Sequence, residues 1–196
     1  AVRSARGGAR GGARARAGAE MAYAGGAAMK QFTIVHEFAC TPERFWRLFF
    51  DPEFNAALYR DGLRVEGYAV LSLQEGEAEI HRTITGRPQL KIPAAAQKIV
   101  GDRLSFTEEG RFDRRAGVWR ASFTTSAFGD KVRSQTTIRL EAAGPGKIRR
   151  VGEVQVEAKI FGMAGFVEGS IETSMRETWA AGAAFTADWL ARHPAE

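Results

Sequence analysis

The chain contains very little cysteine and histidine, and this excludes two classes of protein. Its 196 residues include one Cys and three His. A single cysteine cannot form an internal disulfide, which excludes a disulfide-stapled secreted scaffold. So few Cys and His also exclude a structural zinc site of the usual kind. The sequence has no phosphate-binding loop, dinucleotide fingerprint or metal-ligand spacing, so we predict neither a metal nor another cofactor.

Long apolar runs are absent as well. No stretch approaches the ~20 consecutive apolar residues that a membrane-spanning helix needs. The first 28 residues also lack the continuous apolar run of a secretory signal. We therefore predict a cytoplasmic protein whose contact with membranes is transient at most.

The positive charge of the chain is concentrated at its beginning. Residues 1–29 hold five Arg and a single acidic residue, Glu20, and so account for nearly all of the net charge of +5. The remainder of the chain is close to neutral. A near-neutral domain lacks the basic face that nucleic-acid binding requires, so we predict no nucleic-acid partner.

Residues 1–28 are rich in Ala, Gly and Arg and have almost no bulky apolar side chain. Such a segment cannot bury enough surface to offset the entropy of ordering it, so we predict a disordered tail before a folded domain at 29–196. Three interpretations of the tail stay open. It is an arm for RNA or an anionic surface, a targeting segment, or upstream sequence read ahead of a true start at Met29 or Met21.

From Met29 the polarity pattern predicts an α+β domain. Alternating residues between Phe32 and Phe38 predict a first strand, and two Pro-containing caps at 41–43 and 51–53 predict two short helices. Short alternating segments separated by Gly-containing turns then predict antiparallel strands as far as Ile160. The pattern differs in two other stretches. It predicts a connection with a helical turn at residues 89–99 and a long helix from about Gly165 to Arg192.

The predicted last helix has small or polar residues within its apolar stripe. The stripe repeats at spacings of three and four and consists of Ile171, Met175, Thr178, Gly182, Phe185 and Trp189. A helix that only seals a core more often carries large aliphatic residues at positions such as Thr178 and Gly182. We therefore predict open space beneath this part of the helix.

This order of elements resembles the START-like superfamily (polyketide cyclase and birch-pollen-allergen-like, SRPBCC). Residues 32–38 and 41–46 look like the first strand and first helix of that superfamily. Residues 93–102 and 158–168 resemble a branch of unknown function, and 51–63 also resembles sterol-binding START-like domains. The resemblance implies a helix-grip fold. In that fold a curved antiparallel sheet of about seven strands wraps a long C-terminal helix, with two short helices after the first strand.

The resemblance also implies a cavity between sheet and helix that holds a hydrophobic small molecule such as a lipid, sterol or polyketide. Such cavities are mainly apolar with a few placed polar groups. The candidate ligand-binding residues are Phe38, Trp46, Phe50, Arg82, Phe106, Trp119, Phe123, Ser134, Thr136, Phe161, Met163, Met175, Thr178 and Trp179. For each aromatic residue the alternative is ordinary core packing. Arg82 either neutralises an anionic headgroup or snorkels at the sheet edge.

Two other functions stay open. One is a cyclase or aromatase-type enzyme, which needs acid–base groups facing the cavity. His36 lies on a predicted apolar face and is either such a base or a hydrogen-bonded core histidine, whereas His81 lies on a polar face. Cys40 has no partner base nearby in the sequence, so we expect no thiol nucleophile. The other function is a stress-response or chaperone-partner protein with a vestigial cavity.

The segment 162–166 joins the last strand to the long helix and has two interpretations. Two Gly around Met163 and Ala164 permit unusual backbone angles, and Phe166 adds an adaptable apolar contact, as in a gate or membrane-touching loop. Alternatively, the helix start needs Gly because it approaches the sheet closely.

Overall fold

Seven antiparallel strands form one sheet in the computed structural model, which describes residues 29–88 and 104–194. Their order across the sheet is β1-β7-β6-β5-β4-β3-β2, so the first strand pairs with the last. The predicted tail and the connection predicted at 89–99 lie outside the described residues. The strands are β1 (Lys30–Phe38), β2 (Val65–Glu75), β3 (Glu79–Pro88), β4 (Phe106–Asp113), β5 (Val118–Thr125), β6 (Val132–Ala142) and β7 (Ile148–Ala158).

Two short helices follow β1 and begin at the predicted caps. The side chain of Thr41 accepts a hydrogen bond from the Arg44 N–H (3.3 Å), and Asp51 accepts one from the Phe54 N–H (2.7 Å). These bonds satisfy N–H groups that a helix start leaves free. The helical elements are α1 (Pro42–Phe50), α2 (Pro52–Ala57), a π-helical turn (Leu58–Gly62), a 3-10 turn (Gly129–Lys131) and the C-terminal helix α3 (Ala164–Arg192).

The C-terminal helix α3 lies against β1 and β7 and against the π-helical turn. Along β5 and β6 the predicted alternation is observed, with Trp119, Ala121, Ser134 and Thr136 all buried on one face of the sheet. That face is directed toward the helices and forms the interior. The predicted fold class, an α+β helix-grip fold, is confirmed.

Alternation of Leu63, Val65, Ala69, Leu71 and Leu73 in the sequence predicts a strand with one buried face, but β2 has no such face. Val70, Leu71 and Leu73 are all exposed. The register between β2 and β3 shifts twice, between Glu66 and Ala69 and again after Val70, so alternate residues do not keep one orientation. In addition, β2 is an edge strand with a neighbour on one side only, which leaves its apolar side chains in contact with solvent.

Two tryptophans pack over glycines of the sheet. The ring of Trp119 lies over Gly110, and the ring of Trp179 on α3 lies over Gly152, so a Cβ at either glycine would overlap the indole. Each glycine thus lets an aromatic ring approach the backbone. The Gly152 contact brings the middle of α3 close to β7.

Candidate ligand-binding cavity

A cavity of about 310 Å³ lies between the sheet, the C-terminal helix and the short helices. This volume is at the lower end of the ~300–1,000 Å³ typical of small-molecule sites. Aromatic and aliphatic side chains form most of its wall, among them Phe49, Phe106, Phe123 and Met175. Its position between sheet and helix is the one that the sequence resemblance implies.

Small side chains on both walls leave this space unfilled. Ser134 and Thr136 line it from β6, and Thr178 and Gly182 line it from α3. A Cβ on Gly182 would meet Leu63 at 3.6 Å, which is ordinary van der Waals contact. Larger side chains at these positions would occupy the cavity.

Nine of the predicted ligand-binding residues line the cavity. They are Arg82, Phe106, Trp119, Phe123, Ser134, Thr136, Met175, Thr178 and Trp179. Those on the strands follow the period of two from which they were predicted. Their contact with a ligand stays a prediction.

Three predicted aromatic residues pack in the core and are not part of the cavity wall. Phe38 belongs to a cluster with Phe45, and Trp46 contacts Phe112 with ring centroids 4.5 Å apart. Phe50 contacts Phe112 as well, at 5.4 Å. On α1 the cavity-facing positions are 45, 48 and 49. Positions 46 and 50 are each rotated by about 100° from their preceding neighbours and face the sheet core instead.

Phe161 and Met163 also lie away from the cavity. Phe161 is fully exposed because β7 ends at Ala158 and the chain turns outward before α3 begins. Met163 is half-buried and packs against a separate cluster. Gly162 has a φ of +71°, and a Cβ there would meet no atom within 4 Å. The interpretation that Gly162 allows close approach to the sheet is therefore wrong. The positive φ angle at this position explains why a glycine is found there.

Arg82 forms a buried ion pair at the cavity wall. Its guanidinium lies 3.4 Å from the Glu108 carboxylate and donates a hydrogen bond to the Phe49 carbonyl at 2.9 Å. It also lies over the Phe49 ring, 4.7 Å from the centroid. Only 5% of Arg82 is exposed, so the snorkelling interpretation is wrong. Burial raises the pKa of Glu108, and Arg82 opposes this shift.

Sequence reasoning missed Glu108 and Arg150, although period-two alternation places both on inner faces. Glu108 is two residues after Phe106 on β4. Arg150 lies four residues before Val154 on β7, so alternation places both side chains on the same face of the strand. Both line the cavity. The lining residues of the short helices and of the segment after them were missed too, namely Phe45, Leu48, Phe49, Phe54, Asn55, Leu58, Tyr59 and Leu63.

Arg150 is the second arginine at the cavity wall and is half-buried. It donates a hydrogen bond to Nδ1 of His36 at 3.0 Å, and its guanidinium lies 4.6 Å from the Trp179 ring centroid. Burial lowers the pKa of Arg150 to about 10. His36 does not line the cavity, and its pKa is lowered by burial and, secondarily, by Arg150. His36 is half-buried and hydrogen-bonded, which favours the structural interpretation over that of a cavity base, whereas His81 is exposed as expected.

Several buried polar atoms at the cavity have no hydrogen-bond partner within the described residues. These atoms are the hydroxyl oxygens of Thr125, Ser134 and Thr136 and the Nε atoms of Arg82 and Arg150. Buried polar groups are usually paired, so these unpaired atoms are exceptions in the packing around the cavity. Burial raises the pKa of the Cys40 thiol, which is typical of an inert core cysteine.

Neither a metal cluster nor a membrane-crossing helix is found in 29–88 and 104–194. No three His, Cys, Asp or Glu side chains of these ranges come together as a metal site. No helix within them is both long enough and apolar enough to cross a membrane.

Solved structures share this fold at low sequence identity. Zhui aromatase/cyclase from Streptomyces sp. R1128 has a TM-score of 0.60 and 12% identity, covering 84% of this chain and 94% of that one. Norcoclaurine synthase from Thalictrum flavum, in complex with dopamine and hydroxybenzaldehyde, has a TM-score of 0.58 and 13% identity, covering 86% and 90%. A START superfamily protein from Mycobacterium smegmatis has a TM-score of 0.54 and 13% identity, covering 82% and 98%.

These similarities establish the START-like fold. At such low identities they show the architecture alone and say nothing about chemistry. None of the curated proteins matches the sequence. A family model described as "Protein of unknown function (DUF2505)" matches residues 33–190, which is most of the chain. The chain therefore belongs to this family.

Proposed function

We propose that the protein binds a hydrophobic small molecule, such as a lipid, sterol or polyketide, in this cavity. The observation that carries the proposal is the unfilled space between Ser134 and Thr136 on the sheet and Gly182 on the helix. Protein interiors are close-packed, and an empty apolar cavity costs stability roughly in proportion to its volume. A ligand that fills the cavity removes this cost, and the aromatic wall offers it a large contact area.

Tryptophan fluorescence tests the proposal. Trp119 and Trp179 line the cavity, whereas Trp46 and Trp189 do not. A hydrophobic ligand should therefore shift the emission of the wild type, and Trp179→Phe should lose much of the shift. Trp189→Phe is the matched control and should keep it.

Native mass spectrometry of the purified protein, followed by extraction and analysis of bound lipids, identifies the ligand directly. We expect a mass above that of the chain alone and an apolar compound in the extract. If neither the mass nor the fluorescence changes with a panel of fatty acids, fatty alcohols, sterols and polycyclic aromatics, the proposal is wrong.

A cyclase or aromatase-type enzyme that uses the same cavity is the second candidate. It is favoured by Glu108, a buried carboxyl group on the cavity wall whose pKa is raised by burial, which favours the protonated form that a general acid needs. In that case Glu108→Gln should abolish turnover of a poly-β-ketone substrate analogue and leave its binding intact. Recovery of the analogue unchanged from the wild-type protein would favour binding alone.

A further inference from the structure

Arg150 is a half-buried cation, with its Nε atom fully buried, and it has no counter-ion within the described residues. It lies on β7, paired across the sheet with His36 on β1 and Leu140 on β6. No Asp or Glu oxygen of the described residues lies within 4.0 Å of the Arg150 guanidinium, the distance that defines an ion pair. The Nε of Arg150 has no hydrogen-bond partner among these residues either. The groups that do contact its guanidinium are the neutral acceptor His36 and the rings of Phe38 and Trp179.

Arg82 shows how the same cavity holds an arginine whose charge is neutralised, although its Nε, like that of Arg150, has no hydrogen-bond partner within the described residues. Its charge is balanced by Glu108, and one guanidinium nitrogen is bonded to a carbonyl. Arg150 is only half-buried, but it has no carboxylate beside it. Removing part of a charge from water without a partner of opposite charge is costly, and the ring faces around Arg150 offset only part of that cost. Arg150 is one of the residues that line the cavity, so a molecule that fills the cavity would lie next to it.

We infer that the ligand is an acid whose anionic group, a carboxylate in the simplest case, binds Arg150 while its apolar body fills the aromatic part of the cavity. This inference rests on the proposed function and makes it more specific. A guanidinium presents its N–H groups as a planar fork that matches both oxygens of a carboxylate, and such charge-assisted bonds are about twice as strong as neutral ones. Arg82 cannot take this role without displacing Glu108.

A matched pair of ligands tests the inference. Dodecanoic acid and 1-dodecanol have the same apolar chain and differ in the headgroup, and isothermal titration calorimetry at pH 7.5 measures the Kd of each. For the wild type we expect the acid to bind at least tenfold more tightly than the alcohol. In Arg150→Met this ratio should fall to within about twofold, through loss of acid binding and not through gain of alcohol binding.

Arg139→Met is the matched control variant. Arg139 lies on β6, is exposed, and pairs with Glu141 and Glu153, so its removal changes the net charge equally without touching the cavity. The acid-to-alcohol ratio should be unchanged in this variant. If Arg150→Met does not fold, the wild type still decides the matter by NMR with carboxyl-labelled dodecanoic acid. A bound carboxyl that stays ionised well below its free pKa supports the pairing, and one that titrates at or above that pKa contradicts it.

The outcomes separate the two proposals. Equal binding of acid and alcohol that is insensitive to Arg150→Met would overturn the inference and leave hydrophobic ligand binding intact. If neither of these ligands nor any other member of the hydrophobic panel binds, both proposals fail.

Discussion

At the scale of single residues, glycines decide how closely aromatic rings approach the sheet. Gly152 lies beneath Trp179, and Trp179 in turn covers the guanidinium of Arg150. A methyl group at this glycine would displace the indole, and the indole is rigid and confined by its neighbours. The position of the cavity wall therefore depends on the absence of a side chain at Gly152.

We predict that Gly152→Ala lowers the free energy of unfolding by about 1–3 kcal/mol, the usual cost of overpacking. Gly182→Ala is the control, because a Cβ there makes only ordinary contact with Leu63. That variant should gain up to about 1 kcal/mol from helix propensity. Urea denaturation followed by circular dichroism measures both, and a Gly152→Ala protein as stable as the wild type would contradict the proposed packing.

His36 should make stability depend on pH. Burial, and then Arg150, lower its pKa below the ordinary value of 6.5. As the pH falls through 6.5 the unfolded chain takes up a proton at this residue before the folded chain does, so the unfolded state binds more protons. Stability is therefore lost as the pH falls from about 6.5 toward the lowered pKa of the folded state.

The measurement is the free energy of unfolding between pH 7.5 and 5.5. His36→Gln should flatten its slope with pH, since glutamine retains an acceptor for Arg150 but does not titrate. The wild type, measured in the same buffers, is the reference. An unchanged slope in His36→Gln would show that other groups cause the acid sensitivity.

At the scale of elements, the C-terminal helix has two halves with different tasks. Ile171 to Gly182 contribute to the cavity wall. Further along, Phe185 and Trp189 pack against Phe54 on α2, with ring centroids 6.1 and 5.5 Å apart. The second half thus anchors the helix, which allows the first half to leave space.

Gly182→Leu tests whether that space serves a ligand. The leucine side chain would extend into the cavity and would also improve helix propensity by roughly 1 kcal/mol. We expect this variant to melt at or above the wild-type temperature while losing uptake of a hydrophobic ligand. In a filled core the same change costs about 1–3 kcal/mol. Clear destabilisation without any detectable ligand would favour the vestigial-cavity hypothesis.

At the scale of the whole molecule, the sequence divides into a basic segment at 1–28 and a nearly neutral remainder. From the Ala, Gly and Arg composition of residues 1–28 we predict that they add nothing to stability. Thermal melts of the full chain and of a chain starting at Met29 should coincide. A loss of more than about 1 kcal/mol, which is large against the usual margin of stability, would contradict this.

The sequence by itself determined the order of elements and most of the sheet-derived cavity wall. Helix caps at Thr41 and Asp51 and the period of two along β5 and β6 are local signals, and each is read from a few neighbouring residues. They sufficed to assign Trp119 and Ser134 to the interior. The same local reading went wrong at β2, where bulges interrupt the period.

Only the tertiary structure decided which interior residues meet. Arg150 and its acceptor His36 are 114 residues apart, and Arg82 and Glu108 are 26 apart. Periodicity assigns a side chain to a face, but strand register and helix docking decide its neighbours, and both depend on contacts across the whole sheet. Arg82 is neutralised by Glu108, whereas Arg150 has no carboxylate beside it within the described residues. Strand register decides this difference, and no local sequence pattern shows it.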